Sequence, residues 1–302
     1  MKITNPYGPN TTVLLPGGCN ASCDFCFWDR AEGGIKPPRN YLDKVFSHLA
    51  SLPEAFRTLS ISGGEPTISQ WFGSFLGRLG IYRRTNTLDR VVLTTNGSNV
   101  APFITAIGCV VDHINISRHA VGSEANCKIF KTAAIPDDES LREIIANIHS
   151  ETECDVTLNC VVGADVSVQF CYSFIYYAKM LGADAVSFRK EASDVTPTDA
   201  ETFFVKKYGV LHETKCPVCR GLEQSVGGFT VRWKGSVAEP SKESNGVYEV
   251  VIHPDGGLYS GWDLLSTPLE ILRIYSPVRS TKKLSPGAVY SAGCGRVGRT
   301  GC

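Results

Sequence analysis

The chain has 302 residues, 43% of them hydrophobic, with 30 basic and 30 acidic side chains. That length and apolar content suit one large core, or one core with a modest appendage, and need no disulfides, while the balanced charge selects no particular partner. Apolar runs such as Val91 to Leu93 and Cys109 to Val111 fall far short of the roughly twenty residues that cross a bilayer, and residues 1–10 lack the basic-then-apolar pattern of an export signal, so a cytoplasmic protein with no membrane partner is expected.

In chain order, β-rich runs occur at Thr12 to Leu15, Thr58 to Ser62, Val91 to Thr95, His113 to Ser117, Asp155 to Val161 and Ala185 to Arg189. Helical stripes lie between them. Leu42, Val45, Phe46 and Leu49 fall at i, i+3, i+4, i+7, with Asn40 placed to cap that helix. Phe72, Phe75, Leu76 and Leu79 repeat the spacing, as do Leu141, Ile144, Ile145 and Ile148, and Phe170, Phe174, Tyr177 and Leu181 form a similar stripe. Strands alternating with amphipathic helices imply parallel βα units with right-handed crossovers, whose strand C-termini form the working face. The expected fold is α/β, a partial (β/α)6 barrel, with an open doubly wound sheet as the rival. After residue 190 the pattern changes. A helix is expected around Asp199 to Tyr208, and Val247 to Ile252 and Leu258 to Trp262 flank Pro254-Asp255-Gly256-Gly257, which has the residues of a tight turn. These divide the chain into a core over 1–195 and a small β-rich C-terminal extension over 196–302.

Twelve cysteines in a long, core-rich chain without an export signal point to reduced thiols or metal ligands rather than a disulfide scaffold. Cys109, Cys127, Cys154, Cys160 and Cys171 sit mostly in apolar surroundings and are expected in the core. Cys19, Cys23 and Cys26 differ: they form a Cys-x3-Cys-x2-Cys loop, Pro16-Gly17-Gly18-Cys19-Asn20-Ala21-Ser22-Cys23-Asp24-Phe25-Cys26, directly after the first strand. Cubane iron–sulfur clusters normally take four cysteines, so a group of three leaves one iron open to a ligand. A zinc site completed by a distant ligand, or three unrelated thiols, are the alternatives.

This loop, with aromatic Phe25 before its last cysteine, resembles the signature of the radical S-adenosylmethionine (SAM) superfamily. Ser62-Gly63-Gly64-Glu65-Pro66, ending the second strand, is similar to the family's Gly-Gly-Glu-Pro motif, and Thr94-Thr95-Asn96-Gly97 to a recurrent element near SAM. Ser117 and Arg118, in Asn115-Ile116-Ser117-Arg118-His119, resemble family residues that touch the SAM ribose and carboxylate, and Asn159 and Arg189 are weaker matches. The resemblance covers about residues 11–190. It implies a [4Fe-4S] cluster on Cys19, Cys23 and Cys26, SAM chelated by the open iron, and SAM contacts from Phe25, Gly63, Gly64, Glu65, Pro66, Thr95, Asn96, Ser117, Arg118, Asn159 and Arg189. Reductive cleavage of SAM would give a 5'-deoxyadenosyl radical that abstracts hydrogen from a substrate C–H bond, with an electron donor such as flavodoxin or ferredoxin.

Cys216-Pro217-Val218-Cys219, with Cys294 and Cys302, offers four further thiols for a second iron–sulfur cluster or a zinc ion. Ile252 to Tyr259 looks like a hairpin of auxiliary-cluster extensions in this family, although Gly261 and Trp262 stand where those commonly place a cysteine. From Ile271 to Cys302 there are six cations (Arg273, Arg279, Lys282, Lys283, Arg296, Arg299), no acidic residue, and Tyr275 and Tyr290 interleaved, a combination that suits DNA, RNA or a nucleotide. The short build also resembles phage radical SAM isomerases that hypermodify thymine, which implies a host cytoplasm. The expected activity is therefore rearrangement or hypermodification of a nucleobase. A radical SAM peptide maturase and a non-catalytic metal-binding module for nucleic acid are the competing readings.

Overall fold

The computed structural model describes residues 10–26, 35–53, 56–86, 88–191, 197–213, 221–235 and 249–262. Six strands appear where β-branched and apolar residues recur: β1 (Asn10–Leu15), β2 (Thr58–Gly63), β3 (Arg90–Thr95), β4 (His113–Ser117), β5 (Asp155–Val162) and β6 (Ala185–Lys190). Their side chains alternate between faces. In β3, Val91, Leu93 and Thr95 are buried under helices, while Arg90, Val92 and Thr94 are half-buried on the opposite, inner face.

The intervening helices are α1 (Tyr41–Ser51), α2 (Phe72–Thr85), α3 (Ile104–Gly108), α4 (Ser123–Phe130), α5 (Asp138–Glu151) and α6 (Val168–Leu181). α2 buries Phe72, Phe75, Leu76 and Leu79, and α5 buries Leu141, Ile145 and Ile148. Each such side chain removed from water contributes roughly 1.5–3 kcal/mol, so the stripes hold the helices to the sheet. α5 starts where Asp137 accepts from Ser140 N at 2.8 Å, and α6 where Ser167 accepts from Phe170 N at 3.1 Å. Asn40 makes no such side-chain bond; at φ −95°, ψ 27° it lacks the extended backbone that aims a cap, and it contributes its carbonyl to Lys44 N instead.

β1 to β6 lie side by side in sequence order and all pair in parallel. An unreversed order has no switch point, so the doubly wound alternative is excluded and the helices cover one face. The sheet remains open. The expected helix appears as α7 (Asp199–Tyr208), followed by β7 (His212–Glu213), β8 (Leu222–Val226) and β9 (Phe229–Lys234), with β9 parallel to β6. β10 (Glu249–Ile252) returns to the other edge, parallel to β1, and turns through Gly256 into β11 (Leu258–Tyr259). The β-rich tail thus widens one eleven-stranded sheet at both edges.

The cysteines divide by environment. Cys154, Cys160 and Cys171 are buried, but Cys109 is exposed and Cys127 half-buried. Cys109 falls in the turn after α3, where Ile107, Val110 and Val111 fill the core. Cys127 lies on α4, whose buried residues are Asn126 and Phe130. Among the described residues no helix is long and apolar enough to cross a membrane.

Candidate active site at the strand C-termini

The cysteine loop leaves β1 through Gly17 and Gly18, both at positive φ (126° and 43°), conformations that glycine adopts without strain. It is then tied to several strand ends. Ser69 Oγ donates to Pro16 O, Glu65 N to Gly18 O at 3.1 Å, Asn20 Nδ2 to Ser98 Oγ at 2.9 Å and Asn96 Nδ2 to Asn20 Oδ1 at 2.8 Å. On its far side Ser22 N donates to Phe130 O at 2.9 Å, Lys131 pairs with Asp24, and the Phe25 ring meets His119 edge-on at 4.7 Å.

The Cys19, Cys23 and Cys26 thiols are half-buried, and Cys26 packs beside Leu14, Val251 and Trp262. Burial first, then the charges of Cys26 and Cys19, push the Cys23 thiol up to about 12. Three soft sulfur donors on one loop suit zinc or an iron–sulfur cluster. Among the described residues no three His, Cys, Asp or Glu side chains are already gathered at metal-binding distance. The loop's three thiols fit a [4Fe-4S] cluster in donor chemistry, with one iron left for a further ligand.

Glu65 is the hub beneath this loop. It is 2% exposed. Its Oε1 accepts from Thr67 N at 3.0 Å, Thr67 Oγ1 at 2.6 Å and Thr95 Oγ1 at 2.6 Å, and its Oε2 from Asn96 N at 2.6 Å. Burial pushes its carboxyl above the ordinary range, against the pull of the bonds from Asn96, Thr67 and Thr95. Pro66 opens the short 3-10 turn Pro66–Ile68 that this carboxylate caps. Arg118, also fully buried, donates to Asn96 O at 2.9 Å, Ser117 O at 2.7 Å and Pro136 O at 3.1 Å, fastening β3 to β4. Burial lowers its pKa below the ordinary arginine value. Glu65, Thr95, Asn96 and Arg118 thus brace one another, whereas Phe25, Gly63, Gly64, Ser117, Asn159 and Arg189 are half-exposed.

Gly63 has a reason of its own. At φ +144° it occupies a conformation that side chains rarely adopt, and a Cβ there would stand 2.8 Å from Leu15 O on the neighbouring strand. Gly63→Ala is expected to destabilise the chain by about 3 kcal/mol through backbone strain and this contact. Urea unfolding checks it, and a loss below about 1 kcal/mol would contradict the close-approach argument.

On the inner face, Ser117, Asn159 and Ser187 form one rung across β4, β5 and β6, and Arg189 sits one rung higher beside Val161. Sequence reasoning missed Arg232, which shares the rung on β9, and Trp262, which packs with Cys26 against Leu14 and Val251. The alternation Phe229, Val231, Trp233 after Gly227-Gly228 signals β9 and would have placed Arg232 opposite the buried side; no local pattern announces Trp262. Cys216, Cys219, Cys294, Cys302 and the basic segment 271–302 lie outside the described residues.

No protein-family model matches the chain. A GTP 3',8-cyclase from Rhodopseudomonas palustris is 32% identical over 123 residues, 38% of this chain and 35% of that protein. Its namesake from Rhodobacter capsulatus is 28% identical over 128 residues, 41% and 36% of the two chains. The match thus spans about a third of the length of these curated relatives. Among solved structures, Streptococcus suis SuiB bound to S-adenosylmethionine matches with a TM-score of 0.59 at 14% identity, covering 88% of this chain and 64% of that one. Native anSMEcpe with bound AdoMet and Cp18Cys peptide matches with a TM-score of 0.53 at 15% identity, covering 85% and 75%. With six parallel strands in unreversed order and this agreement in architecture, the chain shares the partial (β/α) barrel fold of these two structures.

Proposed function

We propose that the chain is a radical SAM enzyme acting on a peptide. The observation that carries the reaction is the Cys19–Cys23–Cys26 loop, anchored through Gly18 and Asn20 to the ends of the Glu65 and Asn96 segments. A [4Fe-4S] cluster held there, reduced by a donor such as flavodoxin or ferredoxin, would supply cleavage of SAM to a 5'-deoxyadenosyl radical that takes hydrogen from a C–H bond. The chain's own residues supply position. Glu65 and Arg118 hold the ends of β2, β3 and β4 rigid, and Asn20 and Asn96 fix the loop above them. Phe25, backed by His119, closes the loop's side against water. Gly63, Gly64, Ser117, Asn159 and Arg189 line the mouth where SAM would lie. Residues 1–195 would carry this machinery and 196–302 the flanking strands, with an auxiliary metal site on Cys216, Cys219, Cys294 and Cys302.

A peptide substrate is supported by a solved structure of the same architecture that contains one. A nucleotide or nucleobase substrate is the second reading, favoured by identity to enzymes named for GTP. Its other support, the basic segment 271–302, lies outside the described residues. Reconstituted protein supplied with SAM, reductant and deuterated candidates separates the two: deuterium is expected in 5'-deoxyadenosine from a peptide, and its appearance from GTP or a modified nucleobase instead would overturn the peptide reading.

A further inference from the structure

Three buried polar atoms on adjacent strands of the inner face have no hydrogen-bond partner among the described residues: Nδ1 of His113 on β4, Oδ1 of Asn159 on β5 and Oγ of Ser187 on β6. Ser187 is 0% exposed. A buried hydroxyl without a partner costs about 1–3 kcal/mol, so its persistence in a packed sheet marks a place for a ligand. Beside it, at the same rung of β9, stands Arg232, whose Nε donates to Glu223 at 2.8 Å and whose terminal nitrogen donates to Thr157 Oγ1 at 3.2 Å. These two bonds fix the guanidinium over the sheet. One rung higher, Arg189 and Lys234 are register partners on β6 and β9.

Two neighbouring strands thus bring three cations to the inner face, and Glu223 on β8 pairs with Arg232. The field is felt across the sheet: burial, then the charges of Arg90, Arg232 and Lys234, hold the His113 imidazole down to about 3, so it stays neutral. The cysteine loop lies elsewhere, tied to the ends of β2 and β3. Counted along the sheet at about 4.8 Å per strand, β9 is four strands, roughly 19 Å, from β3.

We propose that β6 and β9 carry an anion subsite for the substrate, in which Arg232 holds a carboxylate or phosphate and the Ser187 hydroxyl donates to it. The inference rests on the proposed function only in taking the inner face as the reaction chamber. Ser117 and Asn159 lie on the cofactor side of the same rung, so a substrate gripped by Ser187 and Arg232 would lie against SAM. The group that binds also reports substrate class, a carboxylate for a peptide and a phosphate for a nucleotide.

The test is calorimetric titration of the reconstituted full chain, saturated with SAM, using glutarate in one arm and inorganic pyrophosphate in the other. Saturable binding of either probe is expected, the tighter arm naming the group. Arg232→Gln is expected to weaken that binding on the order of tenfold, with Arg232→Lys recovering part of it, and Ser187→Ala to weaken it about threefold. Failure of both probes to saturate, displacement of the probe by SAM, or unchanged affinity in Arg232→Gln would each overturn the subsite. Should Arg232→Gln fail to fold, unchanged affinity in the smaller Ser187→Ala change would overturn it. 5'-Deoxyadenosine is measured in the same samples: its absence alongside intact probe binding overturns the reaction and leaves the subsite standing.

Discussion

Cys23→Ala protein is expected to fold normally, yet to retain no stable iron–sulfur cluster and to cleave no SAM. The two outcomes separate because the loop does not depend on that side chain for its course. Its backbone is held by Glu65 N on Gly18 O, by Ser22 N on Phe130 O, by the Asn20 bonds to Ser98 and Asn96 and by the Asp24–Lys131 pair. The half-buried Cys23 side chain adds little packing, so its removal should change unfolding free energy by about 0.5 kcal/mol or less. Loss of one of three sulfur ligands, by contrast, leaves two thiols to hold the cluster. Iron and acid-labile sulfide counting after anaerobic reconstitution, beside urea unfolding of the cluster-free chain, checks both halves. A full iron complement in Cys23→Ala protein would refute the ligand assignment, and Cys19→Ala and Cys26→Ala should behave alike.

Glu65→Ala should act in the opposite manner, through stability. Removal of this carboxylate leaves Thr67 N and Asn96 N without acceptors in a buried site, while the Thr67 and Thr95 hydroxyls can turn to other partners. Two orphaned amides at about 1–3 kcal/mol each predict a loss of roughly 4 kcal/mol, a large part of the 5–15 kcal/mol typical of a domain. Glu65→Gln keeps the shape but sets an amide N–H2 against Asn96 N–H, for a loss of about 2 kcal/mol. Cluster incorporation should fall with stability, since Asn96, whose backbone N–H donates to the carboxylate, also holds the cysteine loop at Asn20. Urea unfolding of the cluster-free variants measures this, and a loss below about 1 kcal/mol in Glu65→Ala would show that the hub is not structural.

Much of the fold was legible because its signals are local. Val91 to Thr95 was expected as a strand and Arg90–Thr95 is one, and the stripe Phe72, Phe75, Leu76, Leu79 marks the buried face of α2. α4 escaped notice because eight residues that bury chiefly Asn126 and Phe130 make no apolar stripe. The pairing of β10 with β1 was invisible for another reason: it joins residues such as Val13 and Ile252, and nothing in either segment encodes a partner so distant in sequence.

The candidate site was legible as a set of positions rather than as a division of labour. Glu65, Thr95, Asn96 and Arg118 stand near the cysteine loop, as their motifs imply, but a motif does not say which way a side chain points. Their donors and acceptors are spent on one another, on the Thr67 and Asn20 side chains and on backbone. Exposure, which only packing decides, leaves Phe25, Ser117, Asn159 and Arg189 half-buried. Ser187 and Arg232 carry no motif at all, and only register places them side by side.

The measurement that bears most directly on the account is 5'-deoxyadenosine formation by the anaerobically reconstituted chain given SAM and a strong reductant. A cluster on Cys19, Cys23 and Cys26 with an open iron predicts this product together with methionine, and predicts none from the Cys23→Ala protein. Protein carrying a full cluster that yields no 5'-deoxyadenosine, or a Cys23→Ala protein that still yields it, would contradict the central claim.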